Sequence, residues 1–142
     1  MIEFIIPGQP VAKGRPKFAR RGAHVMAYTP AKTASYESLV KLAASIAMSN
    51  TEPSALPIDL VVVLNLQIPV SWSGKRRARA ESGAIYATKK PDADNVLKGI
   101  KDGCNGIVWR DDSQVVRITL EKRYSATPSA LVRVFEIEGE CA

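Results

Sequence analysis

Apolar residues recur along the first half of the chain with two spacings, one typical of strands and one typical of helices. Glu3–Ile6 is short, mostly apolar and stopped by Pro7, which predicts a first strand. After Thr29-Pro30, a favourable helix start, apolar residues follow at helical spacing and predict an amphipathic helix over about 31–49. Between Ile58 and Ile68 every second residue is apolar, as are some residues between them, so this strand is predicted to lie centrally in a sheet.

Two further helices are predicted in the second half of the chain. The longer one covers about 93–104, where apolar residues return at helical spacing. Two glycines are expected to terminate it, Gly103 and Gly106. A short helix over Lys75–Ala80 precedes it, with Ser71 or Ser73 as its N-cap.

Two strands are predicted to close the fold. Residues 114–123 and 130–138 carry alternating apolar positions, and Ser125–Ser129 is predicted to join them as a hairpin. The element order is then β-α-β-α-β-β, with the short helix inserted before the second long one. We expect an α+β fold, a single domain over residues 1–142 in which a mixed sheet of about four strands packs with two main helices.

Basic residues gather in two connecting segments. The protein has 20 Lys and Arg, a net charge of +6 and a pI near 9.5, which suits an acidic partner such as nucleic acid. A solvated surface explains such charges about equally well. The first segment, 8–29, reads as a loop or an irregular hairpin, and the second is 69–91. The cations that these segments offer to phosphates are Lys13, Arg15, Lys17, Arg20, Arg21, Lys75, Arg76, Arg77, Arg79, Lys89 and Lys90.

Five of the six aspartates of this basic chain fall between Asp92 and Asp112. Carboxylate oxygens are the ligands that Mg²⁺ prefers, and a metal beside phosphate-binding cations is typical of an enzyme that acts on a polyanion. Asp92 and Asp94 lie at the predicted start of the 93–104 helix, and Asp111 or Asp112 would supply a third carboxylate from a later turn.

Lys98 follows Asp94 by one helical turn, so their side chains share a face with Asp102. Lys98 could therefore contact the phosphate that is cleaved. An i,i+4 ion pair is the competing interpretation of Asp94 and Lys98, and helix capping is the competing interpretation of Asp92.

Other chemistries lack their motifs. The aspartate run fails as a calcium-binding loop because Leu97 stands where that loop needs glycine. There is no P-loop, dinucleotide fingerprint or HExxH, and His24 is the single histidine. Cys104 and Cys141 form neither a disulfide framework nor zinc spacing. Without a signal-like N-terminus or a membrane-length apolar run, we expect a cytoplasmic protein with no membrane partner.

Two acidic motifs resemble those of the RusA family of Holliday junction resolvases. The first is KPDADNVLK, residues 90–98, which matches the D-x-D-N-x-x-K helix start of that family. The second is WRDDSQV, residues 109–115, which matches its W-x-D-D-x-Q-V turn and strand. Gly14-Arg15-Pro16 and Tyr28-Thr29-Pro30 are similar to the phage-type branch. The resemblance covers most of the chain, and its specificity rests on residues 90–115.

The resemblance implies a homodimeric, Mg²⁺-dependent endonuclease that nicks two strands of a four-way DNA junction symmetrically, in recombination and repair, often encoded by phages and prophages. It places the metal ligands at Asp92, Asp94 and Asp112 and the essential lysine at Lys98. Asp111 is a further metal-ligand candidate, and Asp102 matches another acidic position.

Two rival functions are considered. A non-catalytic basic DNA-binding module would use its aspartates only for capping and ion pairs. A nucleotide-sugar transferase would use Asp92-Ala93-Asp94 as its metal motif, although the chain is short for that class and shows no nucleotide-binding half.

Overall fold

The computed structural model describes residues 1–14, 17–21, 24–28 and 31–142, with side chains described for 1–14 and 31–142. Its main sheet has four strands in the order β1-β6-β4-β5. These strands are β1 (Ile2–Pro7), β4 (Ile58–Gln67), β5 (Val115–Ser125) and β6 (Ser129–Glu136). β4 runs parallel to β5 and antiparallel to β6, so the sheet is mixed. The predicted α+β class and mixed sheet are confirmed.

The helices cover one face of this sheet. They are α1 (Ala31–Met48), α2 (Gly74–Glu81) and α3 (Ala93–Cys104). α1 packs on β1 and α3, while α2 and α3 contact β5. On β4, alternate residues from Ile58 to Leu66 are buried and the intervening ones are half-buried, as expected for an interior strand with one covered face. The central position predicted for this strand is confirmed.

The predicted hairpin between the last two strands is wrong. β5 and β6 do not pair with each other, because both pair with β4, which lies between them. A short connection across residues 126–128 links the strands without making them neighbours. Ile58–Gln67 is the most apolar strand, and burying it between two partners outweighs the usual preference for pairing consecutive strands.

The α1–α3 contact corrects the role of one glycine. Gly103 was expected to end α3, but it lies inside the helix. The last helical residue is Cys104, and Asn105 is the C-cap. A Cβ on Gly103 would lie 2.5 Å from Val40 Cγ1, so this glycine allows α1 and α3 to approach closely. Gly106 lies just beyond the helix at φ +79°, a conformation that glycine adopts without strain.

The first basic segment contains a small second sheet. β2 (Lys17–Arg21) and β3 (His24–Tyr28) pair antiparallel, with Lys17 opposite Tyr28 and Arg21 opposite His24. The hairpin alternative for 8–29 is therefore confirmed. Arg15 lies outside the described residues, as do the side chains of Lys17, Arg20 and Arg21.

Candidate active site

The start of α3 presents two carboxylates. Asp92 is the N-cap residue with an extended backbone, but its side chain makes no capping hydrogen bond. Asp94 lies in the first helical turn, and both residues are exposed. The positive end of the helix dipole stabilises negative charge at these positions. Because capping does not occupy the Asp92 carboxylate, it remains available for a ligand.

The second acidic motif folds into a one-turn 3-10 helix, Asp112–Gln114, in which Asp111 is the cap. The Asp111 carboxylate accepts hydrogen bonds from the Ser113 hydroxyl and from the Ser113 backbone N–H (2.9 Å), which in that order hold its pKa below the usual range. Gln114 completes a capping box and also donates to the carbonyls of Ser54 (2.8 Å) and Leu56 (2.9 Å). Asp111 therefore stabilises the turn, and Gln114 fastens the turn to the segment before β4.

Asp112 is oriented by a buried tryptophan. Trp109 is fully buried, and its indole Nε1–H donates to Asp112 Oδ1 at 2.8 Å. A hydrogen bond from a rigid, buried donor restricts the carboxylate to one direction, as second-shell partners do for metal ligands. The sequence motif includes this tryptophan, but only the structure shows its contact with Asp112. Burial and then the charge of Asp112 raise the pKa of the Cys104 thiol to about 12, so this thiol stays protonated.

Asp94, Lys98 and Asp112 line one concavity between α3 and the 3-10 turn. Leu97, Lys101 and Asp102 complete its lining. Asp94 and Lys98 form no ion pair with each other within the part of the chain that has described side chains, so both remain open to a ligand. The structure thus brings together three of the predicted catalytic residues from two motifs.

Asp92 faces a neighbouring depression. That depression is lined by Lys32, Lys90 and Asn95, together with the segment Gln9–Ala12. Across the described residues, no three His, Cys, Asp or Glu side chains are close enough together to form a metal cage. The three-carboxylate set predicted from the sequence is therefore not gathered at one point in this chain.

The pair Asp94 and Asp112 nevertheless fits a divalent cation of the magnesium type. Mg²⁺ keeps several waters and is usually held by one or two carboxylates together with substrate phosphates. Two carboxylates on one open concavity, one of them fixed by Trp109, supply that donor set. Residues Asp94 and Asp112 would hold the ion, and Lys98 lies beside them.

Asp102 has a different partner. Lys13 forms ion pairs with Asp102 and with Glu37, at 3.3 Å for the latter, and chiefly the Asp102 hydrogen bond raises the pKa of Lys13. The Lys13 N–H also donates to the Asn95 carbonyl at 3.0 Å. Lys13, which was predicted to bind DNA, thus anchors the segment before the β2–β3 hairpin to α1 and α3.

The remaining basic residues lie on α2 and in the connector that follows it. Ser73 caps this helix, as one of the two predicted caps. The Arg76 guanidinium stacks 3.9 Å from the ring centroid of Trp72, and Arg77 donates to the Pro69 carbonyl at 3.1 Å. Lys75, Arg79, Lys89 and Lys90 are exposed, and Lys90 reaches the depression next to Asp92.

The chain is similar to a known nuclease family over most of its length. The family model for endodeoxyribonuclease RusA matches residues 7–135, which contain both acidic motifs. The chain is 38% identical over 140 residues to the uncharacterized protein YqaN of Bacillus subtilis (strain 168), covering 97% of this chain and 98% of that protein. No helix within the described ranges is long and apolar enough to cross a membrane. Because the family model spans nearly the whole chain, the chain belongs to the RusA endodeoxyribonucleases, a family of divalent-metal-dependent enzymes that resolve Holliday junctions.

Proposed function

We propose that the protein is a Mg²⁺-dependent, structure-specific endonuclease that resolves four-way DNA junctions by paired symmetric nicks and acts as a homodimer. The observation that carries this proposal is the convergence of Asp94, Asp112 and Lys98 on one concavity, with Asp112 held by the buried Trp109. Family membership supports nuclease chemistry and disfavours the transferase alternative.

The four predicted catalytic residues have distinct tasks. Asp94 and Asp112 would hold the cation, which would supply Lewis-acid chemistry for activating water and polarising the phosphate. Asp92, whose carboxylate is free of capping, lies one depression away and contributes negative charge on the same helix start. Lys98 extends from the next turn of α3 and stabilises negative charge on the scissile phosphate.

The exposed cations position the DNA. Lys75 and Arg79 are exposed on α2, Lys89 and Lys90 are exposed in the connector before α3, and Lys90 lines the same depression as Asp92. Contacts of this kind fix the orientation of a nucleic acid without reading its bases. The β2–β3 hairpin carries further basic residues and is joined to the catalytic helix through Lys13.

The deciding experiment replaces one ligand and a remote aspartate in the same way. Asp94→Asn should reduce cleavage of a labelled four-way junction by at least about a thousandfold, because it removes a metal carboxylate. Junction binding should be retained or tightened, since a charge that repels phosphates is lost. Asp59→Asn is the matched control, because Asp59 lies on β4, does not line the concavity and pairs with Arg117.

Cleavage is measured with and without Mg²⁺, on a four-way junction and on linear duplex. A binding module that lacks catalysis would show no Mg²⁺-dependent product from the wild-type protein. Wild-type rates for Asp94→Asn would rule out the assigned metal site.

A further inference from the structure

Asp102 lies four residues after Lys98 on α3, so the two side chains share one face of the helix. Both residues line the concavity that also contains Asp94 and Asp112. A lysine and an aspartate at this spacing attract each other on a helix surface. Asp102 can therefore compete with a substrate phosphate for the ammonium group of Lys98.

The structure shows no ion pair between Lys98 and Asp102. The Lys98 side chain is exposed and pairs with no carboxylate among residues 1–14 and 31–142, whose side chains are described. The intervening residues, 15–30, contain neither Asp nor Glu. Lys98 thus carries a cation that Asp102 does not bind, although their spacing favours the pair.

Asp102 is paired with Lys13 instead. The Lys13 ammonium donates to Asp102 Oδ2 and lies 3.3 Å from Glu37 Oε1 of α1. The three side chains are between 20% and 30% exposed, so water and salt screen this cluster less than they screen a surface pair. One ammonium group therefore neutralises a carboxylate on each of the two helices.

Backbone contacts fix the position of Lys13. The Lys13 N–H donates to the Asn95 carbonyl at 3.0 Å, and the Gly14 N–H donates to the hydroxyl oxygen of the buried Thr33 at 2.8 Å. These bonds hold the chain between α1 and α3 without using the Lys13 ammonium. Because the backbone is already ordered, the ion pair with Asp102 forms at a low cost in conformational entropy.

We propose that Lys13 is a positioning residue for the cleavage reaction. By pairing with Asp102, Lys13 prevents this carboxylate from capturing Lys98 and keeps the Lys98 ammonium available to the scissile phosphate. This inference rests on the proposed function, in which Lys98 stabilises negative charge on that phosphate. Lys13 itself acts through Asp102 and does not touch the substrate.

Lys98 is the cation of α3 that would replace Lys13 at Asp102. The other positions three or four residues from Asp102 hold uncharged residues, Gly99, Asn105 and Gly106. Lys101 is adjacent to Asp102 in sequence, and adjacent residues do not face each other on a helix. Without Lys13, the partly buried Asp102 carboxylate would therefore draw Lys98 towards itself.

A positioning role differs from a direct phosphate contact by Lys13. The Lys13 ammonium is shared by two carboxylates and its side chain is 24% exposed, so a phosphate would have to displace both partners. The backbone bonds that anchor this segment do not depend on the ammonium. Removing the charge of Lys13 should therefore slow cleavage without removing a phosphate contact.

The first test measures single-turnover cleavage of a four-way junction at saturating enzyme. Lys13→Met keeps an aliphatic side chain and removes the ammonium. Cleavage should fall by about three- to tenfold, because an ion pair with Asp102 then competes at Lys98. The slope of log junction affinity against log salt should stay unchanged, whereas loss of a phosphate contact would reduce it by about 1.

Two double variants separate this role from a purely structural one. K13M/D102N should return cleavage to within about twofold of wild type, because the competing carboxylate is gone. K13M/E37Q removes the same charge at the other partner of Lys13, but Glu37 lies on α1, so cleavage should stay at the Lys13→Met level. Equal recovery in both double variants, recovery in neither, or wild-type cleavage by Lys13→Met would overturn the proposal.

The second test needs no DNA, metal or activity, so its result is independent of the proposed nuclease function. Acetylation of Lys98 by an N-hydroxysuccinimide ester is followed by mass spectrometry, with the exposed Lys41 of α1 as the internal reference. Lys98 should react at least about threefold more slowly in Lys13→Met than in wild type, because a nearby carboxylate favours the unreactive ammonium form. K13M/D102N should restore the wild-type rate, and an unchanged rate in Lys13→Met would contradict the proposal.

Asp102→Asn alone gives a check that does not depend on the folding of Lys13→Met. Lys98 should be acetylated in this variant as fast as in wild type, because Lys13 already holds the Asp102 carboxylate in the wild-type protein. A severalfold faster reaction in Asp102→Asn would show that Asp102 captures Lys98 despite Lys13, and the positioning role would be refuted.

Discussion

At the residue scale, identical neighbouring side chains have different tasks because their partners differ. The Asp111 carboxylate is occupied by Ser113 and caps a turn, whereas Asp112 receives a hydrogen bond from Trp109 and faces the concavity. From the residue pattern alone, either Asp111 or Asp112 could supply the third metal-binding carboxylate. The contacts favour Asp112, because a ligand carboxylate must have free oxygen positions.

Trp109 is the residue whose replacement best tests this assignment. Trp109→Phe keeps an aromatic ring in the core but removes the N–H donor to Asp112. We expect junction cleavage to fall by about 10–100-fold, the usual effect of losing a second-shell partner. Cleavage rates under single-turnover conditions provide the measurement.

Trp72→Phe is the control for the same chemical change. Trp72 meets Tyr124 edge to face, stacks with the Arg76 guanidinium and is distant in sequence from the acidic motifs. A Trp109→Phe enzyme that is folded and cleaves at the wild-type rate would show that the indole N–H does not position Asp112.

At the element scale, α3 is the segment that sequence reasoning described best. The predicted range 93–104 equals the observed Ala93–Cys104, because apolar spacing and an aspartate-rich start are local properties of the helix. The prediction that Gly103 ends the helix was wrong because it also relied only on local sequence. Its position near the helix end suggested a stop signal, but its role depends on Val40 of α1, a contact that local spacing does not report.

A pair of alanine substitutions separates these two roles of glycine in α3. Gly103→Ala should lower the free energy of unfolding by about 1–3 kcal/mol, because the new Cβ would overlap Val40. Gly99→Ala meets only Lys13 Cβ at 3.8 Å, so it should be neutral or stabilising by up to about 1 kcal/mol. Urea denaturation of both variants checks the difference, and equal stabilities would contradict the close α1–α3 approach.

At the scale of the whole molecule, charge is divided between a carboxylate concavity and surrounding cations. Some of the basic residues are committed within the protein: Lys13 pairs with Asp102, Arg76 stacks on Trp72, and Arg77 binds a carbonyl. The exposed side chains of Lys75 and Arg79 have no partner among the described ion pairs. Net charge alone therefore overstates the number of cations available to DNA.

Salt dependence distinguishes an available cation from a remote one. Lys75→Gln should weaken junction binding and reduce the slope of log affinity against log salt by about 1, since one phosphate contact is lost. Lys41→Gln on α1 removes the same charge outside the predicted DNA-binding set and should leave the slope unchanged. Fluorescence anisotropy titrations over a range of salt concentrations measure both slopes, and equal slopes would remove Lys75 from the DNA-binding surface.

The sequence by itself determined the α+β class, the central strand, the helix α3 and the chemical groups of both acidic motifs. These depend on periodicity and on residues a few positions apart, where backbone geometry fixes which side chains share a face. The tertiary structure decided that β4 separates β5 from β6, that Trp109 orients Asp112, and that Lys13 pairs with Asp102. Lys13 and Asp102 are 89 positions apart, and such contacts follow from packing of the whole chain and leave no local periodic signal.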